Sequence, residues 1–167
     1  MTASLLFDFL WRLVFFYFAV GIGEYVAHRW VMHKRWSGWM SYNHHDQGHH
    51  EQQLDHPVIV HVDLPIWIHL IVCSPLIAFQ IYAGRWIGLA ALICVLCWHS
   101  YVWSKMHRQM HKIENNWTRK LPSYKAFEKH HQGHHQDKRT NFSVLYLRPF
   151  PWIDWIFRTW RINNDTR

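Results

Sequence analysis

An all-α, integral-membrane helical bundle of about three transmembrane helices, with its histidine clusters on the cytosolic side, is the fold class this sequence predicts. Three observations lead there. Pro65 to Ala83 and Trp86 to Ser104 carry no formal charge, and each approaches the roughly 20 residues a helix needs to cross a bilayer. Half of the 167 residues are apolar and twelve are tryptophan, an unusual load for a water-soluble fold. The sixteen histidines exceed the about four that ordinary usage gives a chain of this length, and only His69 and His99 fall inside the charge-free stretches. The length suits a single membrane-embedded domain, 1–167.

Taken in chain order, Leu5 to Val26 is the first apolar run, interrupted by Asp8, Arg12 and Glu24. Asp8 and Arg12 are four apart and are placed to pair near one membrane interface. No small-residue cleavage pattern comes after it, so the run is expected to stay in the protein rather than act as a removable signal. Only Gly84 and Arg85 separate the next two runs, which read as a helical hairpin. Apart from Arg12 and Arg85, the remaining sixteen of eighteen Lys and Arg lie on one side, which the positive-inside rule makes cytoplasmic. Trp152 to Arg161 projects Asp154, Arg158 and Arg161 onto one helical face, as expected of an interfacial helix or an ordinary amphipathic helix packed on the protein. Cys73, Cys94 and Cys97 lie in apolar runs, which argues against a disulfide framework. The formal charge of +7 is spread beside the apolar segments rather than gathered in a basic module, so nucleic acid is not an expected partner.

Four histidine clusters flank the spans: His28 and His33, then His45, His49 and His50, then His107 and His111, then His131, His134 and His135. On an α-helix residues four apart differ by about 40°, so His107 and His111 share a face, as do His131, His134 and His135. His28 and His33 are five apart, about 140° around the axis, and diverge unless the helix ends there or the two serve different metals. Ten neutral imidazoles suffice for two transition-metal ions. HHDQGHHEQ at 44–52 echoes HHQGHHQD at 130–137, as two half-sites closing on one dimetal centre would. His44 and His130 are adjacent extras, either of which could replace a neighbour. His56 and His61 repeat the five-residue spacing but stand apart from this series. Outer-shell partners for the ligands are sought among the nearby carboxylates Glu24, Asp46, Glu51, Asp55, Glu128 and Asp137. Glu24, four before His28, ranks first. His69 and His99 are costly inside a bilayer unless hydrogen-bonded, which suggests a polar network.

HRWVMH, HDQGHH, HRQMH and HQGHH, in that order, resemble the motif series of the fatty acid hydroxylase and sterol desaturase superfamily, over roughly Glu24 to Trp160. The resemblance extends to Asn141 and Phe142 and to Asp154 in an aromatic-rich segment, which adds Asn141 and Asp154 to the possible outer shell. Ser143 and Arg158 stand where that family more usually has glycine. What the resemblance implies is a bundle topped by a cytosolic histidine-rich helical cap, with a non-haem di-iron centre that uses O2, hydroxylating or desaturating a C–H position of a fatty acyl chain, sterol or carotenoid. The chain is shorter than most of that family, so three spans with an extracytoplasmic N-terminus are expected, in a bacterial inner membrane or endoplasmic reticulum, with the active site on the cytoplasmic face.

A hydrocarbon C–H bond is not acidic enough for base chemistry, so an oxidant made at a redox metal is required, which zinc cannot supply. Trp30, Trp67 and Trp103 either line a channel for the lipid or anchor the spans at the interface. No nucleotide loop, haem module or cysteine cluster is visible, so electrons must come from an external donor, a ferredoxin or a b-type cytochrome with its reductase. Lys112, Arg119, Lys120, Lys125 and Lys129 form a basic surface suited to steering an acidic donor. The alternative class is a transition-metal transporter or a metal-binding membrane protein without oxygenase activity. Sequence alone does not separate hydroxylation from desaturation.

Overall fold

A computed structural model describes residues 2–37, 45, 49, 50, 63, 65–143 and 152–161. All regular structure among them is helical: α1 (Ala3–Ala27), a π-helical turn (His28–Met32), a 3-10 turn (Arg35–Ser37), α2 (Ile66–Val72), α3 (Ser74–Tyr82), α4 (Trp86–Met110), a second 3-10 turn (Trp117–Lys120), α5 (Tyr124–Gln136) and α6 (Trp152–Ile156). Two helical stretches, Ala3–Met32 and Trp86–Met110, are long and apolar enough to cross a membrane. The chain divides into one compact unit of Met1–Val20 with Leu64–Val102 and a second of Gly21–Asp63 with Trp103–Arg167.

The first unit is built on an apolar seam. Ala91, Leu92, Val95 and Leu96 of α4 recur at helical spacing and are buried with Phe16 and Val20 of α1, while Ile66, Cys73, Leu76 and Ile77 pack against them. Outward faces are also apolar: Phe7, Val14 and Phe15 of α1 and Ile71 and Val72 of α2 are exposed, as suits helices solvated by lipid. The uncharged stretch from Pro65 to Ala83 is not the single helix its hydropathy suggests. It is two, α2 and α3, because Pro75 in the first turn of α3 has no N–H for the preceding turn, and Cys73 turns the chain between them.

At the end of α3 the Gly84 N–H bonds the Ile81 carbonyl and the Arg85 N–H reaches back to the Gln80 carbonyl, a Schellman cap with Gly84 at φ 63°. Polar side chains of this unit also form pairs. Arg12 donates to Asp8 at 2.9 Å, as their spacing implies, and His69 Nε2 lies 2.8 Å from His99 Nδ1, both rings buried. Gly88 lets Gln80 lie against the α4 backbone; a Cβ there would fall 2.3 Å from Gln80 Oε1.

In the second unit α5 carries Tyr124, Phe127, His131 and His134 inward at intervals of three and four, with Lys125 and Lys129 outside. α4 ends in another Schellman cap: Lys112 N–H to Gln109, Ile113 N–H to Arg108, and Lys112 at φ 58°. Asn116 then ties the connection down, donating to the Lys105 carbonyl and accepting from the Thr118 amide and hydroxyl. α6 is only five residues long, not the helix to Arg161 that amphipathic projection gives. Its C-terminus is closed by a Schellman cap with Arg158 at φ 56°. Asp154, expected on a solvent face, is fully buried, while Trp155 and Ile156 are exposed.

Candidate metal centre

The ten histidines of the four clusters converge in the second unit as two groups of five, His28, His33, His45, His50 and His134, and His49, His107, His111, His131 and His135. Within each group the five candidate ligand nitrogens lie within 4.8 Å of one another. His44, Asp46, Glu51, Asp55, His56 and His61 lie outside the described residues.

The helix type sorts the candidate ligands. After Ala27 the helix widens into the π turn, so residues five apart, rather than four, come to lie on the same side. The His28 and His33 rings therefore stack, with centroids 5.1 Å apart at 24°, and serve one group instead of diverging. His45 and His50 repeat the arrangement, with the His50 amide bonded to the His45 carbonyl five residues back. The other group rests on ordinary α-helical pairs, His107 with His111 on α4 and its end, and His131 with His135 on α5. His134 falls on the side of α5 that faces the first group, and His49 is delivered to the second.

The nitrogen spacing would suit ligands around a cation. In the second group His131 Nε2 lies 3.0 Å from His107 Nε2, 2.9 Å from His111 Nε2 and 3.1 Å from His135 Nε2. A neutral imidazole has one N–H, so these contacts cannot all be hydrogen bonds. Two imidazole nitrogens at right angles about one ion, each about 2.0–2.1 Å from it, stand about 2.9 Å apart. In the first group His28 Nε2 is 2.8 Å from His45 Nε2 and His33 Nε2 is 3.1 Å from His134 Nε2. There the tautomer is set from outside: His28 Nδ1 donates to the Phe142 carbonyl and His134 Nδ1 donates to the Thr140 carbonyl at 2.6 Å, leaving each Nε2 with its lone pair directed inward. Lone pairs converging in this way repel one another unless a cation lies between them, so the donor set fits a pair of transition-metal ions.

Electrostatics keeps the donors neutral. Burial first, then the neighbouring imidazoles, holds His45, His49, His131 and His134 well below the usual histidine range. Burial lowers His111 to about 4, and burial with His111 nearby lowers His135 to about 3. Phe142 forms an apolar wall, its ring 5.3 Å from that of His134 and 5.7 Å from that of His28. Trp103 does the same for His107, with ring centroids 4.3 Å apart.

Glu24, ranked first as a partner of His28, accepts instead from Trp103 Nε1 at 3.1 Å, so it steadies the ring against His107. His130 belongs to neither group; its Nε2 lies 3.2 Å from Asp154 Oδ2. Burial raises the Asp154 carboxyl, but the hydrogen bond and charge of His130 and the bond from the Ser143 amide outweigh it and hold the group below its ordinary value. Asn141 clamps the chain beyond α6: its Oδ1 accepts from the Arg161 amide at 2.8 Å and its Nδ2 donates to the Arg161 carbonyl at 3.1 Å. Its φ of 55° is one that asparagine tolerates better than most residues. Glu128 accepts from the Tyr124 hydroxyl and Asp137 binds Arg139, so neither is seen bonded to a cluster.

Sequence reasoning missed the Thr140 and Phe142 carbonyls, which have no side-chain signature. It also missed a directional chain from Arg29 through the Tyr25 and Thr159 hydroxyls to Asp154, with steps of 2.7, 3.0 and 2.8 Å. Tyr25 is fully buried, which a tyrosine in an apolar run does not announce. Of the aromatic residues considered for a channel or belt, Trp30 and Trp67 are exposed and Trp103 is buried. Lys112, Arg119, Lys120, Lys125 and Lys129 are all exposed.

A family model described as fatty acid hydroxylase matches residues 13–159. No curated protein matches the chain, and no solved structure does.

Proposed function

Since the chain belongs to the fatty acid hydroxylase family, we propose that it is a membrane di-iron oxygenase that hydroxylates, or in a close variant desaturates, a C–H position of a lipid. The observation that carries this reading is the convergence of ten imidazoles into two groups of five. His28, His33, His45, His50 and His134 would hold one ion, and His49, His107, His111, His131 and His135 the other. Bound there, two irons with O2 would supply the oxidising power that an unactivated C–H bond demands.

The protein's own residues do the rest. Burial keeps the imidazoles neutral and available as ligands. The carbonyls of Thr140 and Phe142 take up the outward N–H groups of His134 and His28 and so fix which nitrogen points inward. Phe142 and Trp103 exclude water from the two sides. Glu24, Asn141 and Asp154 act one step further out, through Trp103 and through the Thr140–Ser143 segment.

The finer reading has the broken pair α2 and α3 serving as a third span, an extracytoplasmic N-terminus and the histidines on the cytoplasmic side, in a bacterial inner membrane or endoplasmic reticulum. The bias of basic residues to that side supports it. The substrate is drawn from fatty acyl, sphingolipid, sterol and carotenoid lipids. A ferredoxin, or a b-type cytochrome with its reductase, supplies electrons at the exposed Lys112, Arg119, Lys120, Lys125 and Lys129 surface.

Lipid profiling of cells carrying the intact chain against a His134→Ala, His135→Ala variant tests the activity. An oxygen atom added to, or two hydrogens lost from, one lipid class only with the intact chain is the expected result. No such difference with electron donor supplied would remove the oxygenase reading. Labile ions moved across a vesicle membrane would favour transport in its place.

A further inference from the structure

Arg29 carries a charge that no acid answers among the described residues. It stands in the last turns of the helical stretch Ala3–Met32, which is long and apolar enough to cross a membrane. At about 1.5 Å per residue such a stretch reaches about 45 Å, the thickness of a bilayer with its headgroups, so its end falls at the level of the lipid phosphates. The guanidinium is half-buried and, among the described residues, makes one hydrogen bond, from Nη1 to the Tyr25 hydroxyl at 2.7 Å, and no ion pair. A guanidinium has several further N–H donors, so most of its bonding capacity is unused. Asp154, the acid at the far end of the hydrogen-bond chain that starts here, has its oxygens taken by the Phe142 and Ser143 amides, the Thr159 hydroxyl and His130.

Aromatic rings frame that charge. Its Cζ lies 4.9 Å from the centroid of the Trp30 ring, 5.8 Å from that of Tyr25 and 5.9 Å from that of Phe142. Phe157 stacks on Tyr25 at 4.9 Å and meets Trp30 edge to face at 6.1 Å. Rings keep water away and so strengthen any electrostatic bond the guanidinium makes on its open side. Trp30 and Phe157 are exposed, and Trp155 and Ile156 continue the apolar surface along α6, while Ile153 and Asp154 turn inward. Rings beside a guanidinium at headgroup depth suit the boundary between phosphates and acyl chains. A zwitterionic headgroup would also bring an ammonium group close to Arg29, a like charge that repels it.

We propose that Arg29 is the phosphate-binding residue of a site for an anionic phospholipid: its guanidinium takes the headgroup phosphate, and the exposed rings of Trp30 and Phe157 border the glycerol and the first acyl carbons. Arginine suits this role better than lysine because its planar fork matches two phosphate oxygens at once. The Nη1 bond to Tyr25 holds the fork from behind, and Tyr25 is in turn held by Thr159, so the cation is aimed before a lipid arrives. The site needs a bilayer but no metal, so it stands or falls apart from the oxygenase reading.

The test offers the purified full chain in detergent an equal mixture of phosphatidylglycerol and phosphatidylcholine with the same acyl chains, and counts the retained lipids by native mass spectrometry. The unaltered chain should keep phosphatidylglycerol in preference to phosphatidylcholine. Arg29→Gln, which can still donate to Tyr25, should weaken that retention about 10-fold or more, as the loss of a hydrogen bond to a charged group does. Arg29→Lys keeps the charge without the fork and should fall between the two. Lys125→Gln removes an equal charge from the exposed face of α5 and should leave retention nearly unchanged. Excess inorganic phosphate should not displace the lipid, because it has no acyl chains to seat; if it does, the site is one for a phosphate ion and the lipid assignment is wrong. Equal retention of the two lipids by the unaltered chain, or equal losses in Arg29→Gln and Lys125→Gln, would also overturn the site. Should Arg29→Gln not fold, Arg29→Lys and the lipid preference of the unaltered chain decide the matter.

Discussion

Replacing Arg158 with glycine should stabilise the protein, and the size of the effect comes from one backbone angle. Arg158 sits at φ 56° at the point where α6 ends, its amide bonded to the Trp155 carbonyl while the Thr159 amide reaches the Asp154 carbonyl at 2.7 Å. A side chain in this left-handed region costs about 1–2 kcal/mol, a cost that glycine escapes. Glycine also gives the unfolded chain more freedom, which returns about 0.4–1 kcal/mol. The Arg158 side chain is exposed, so little packing is lost. The balance is a gain of about 1 kcal/mol, or about 2–4 °C in Tm for a chain of this size if it unfolds in one step. Thermal unfolding in nanodiscs, followed by tryptophan fluorescence, measures it. Arg158→Ala is the control, since it removes the charge and keeps the strained angle; it should not stabilise. A lower Tm for Arg158→Gly, or an equal gain for Arg158→Ala, would refute the argument from the angle.

Neighbouring contacts set other outcomes. Gly84→Ala places a Cβ in the same left-handed region at φ 63° and should lower stability by about 1 kcal/mol in the same assay. Ser143→Ala removes a buried hydroxyl that has no hydrogen-bond partner while keeping the amide that binds Asp154, so metal content should be unchanged and stability equal or higher by up to about 1 kcal/mol. Trp103→Phe keeps a ring against His107 but leaves Glu24 without that donor; a destabilisation of about 1–2 kcal/mol is expected, readable by chemical unfolding. The metal-stripped protein should lose stability on acidification. His111 at about 4 and His135 at about 3 bind fewer protons folded than unfolded, where histidine titrates near 6.5, so their contribution is present above about pH 6.5 and is lost as pH falls towards 4 and 3. Unfolding midpoints that do not fall between pH 7 and 4 would contradict this.

The histidine clusters were legible because they obey helical arithmetic: His107 and His111, or His131 and His135, share a face on any α-helix. His28 and His33 were not, since their pairing depends on a wider turn that residue spacing alone does not announce. Asp154 was found as a residue and misplaced as an environment. Projection onto a helix running to Arg161 put it on a polar face, whereas the left-handed residue at 158 ends the helix early and lets the chain fold back over the carboxylate. Glu24 shows a similar limit. Four residues before His28 is the right interval for a contact along one helix, but Trp103, far away in sequence, offers it a donor. Pro75 was visible throughout, and its missing amide is why an uninterrupted apolar run becomes two helices.

The widened turn at His28–Met32 also bears on how such a chain tolerates insertions and deletions. A π turn is an α-helix that has taken in one additional residue without passing the rotation on to the residues beyond it. Deleting one residue between His28 and His33 should therefore leave an ordinary helix with the two imidazoles four apart and still on one side, while an insertion at the same place should rotate His33 away. The gap between paired histidines is thus a record of local helix gauge, and chains that differ by one residue there can present the same pair of nitrogens.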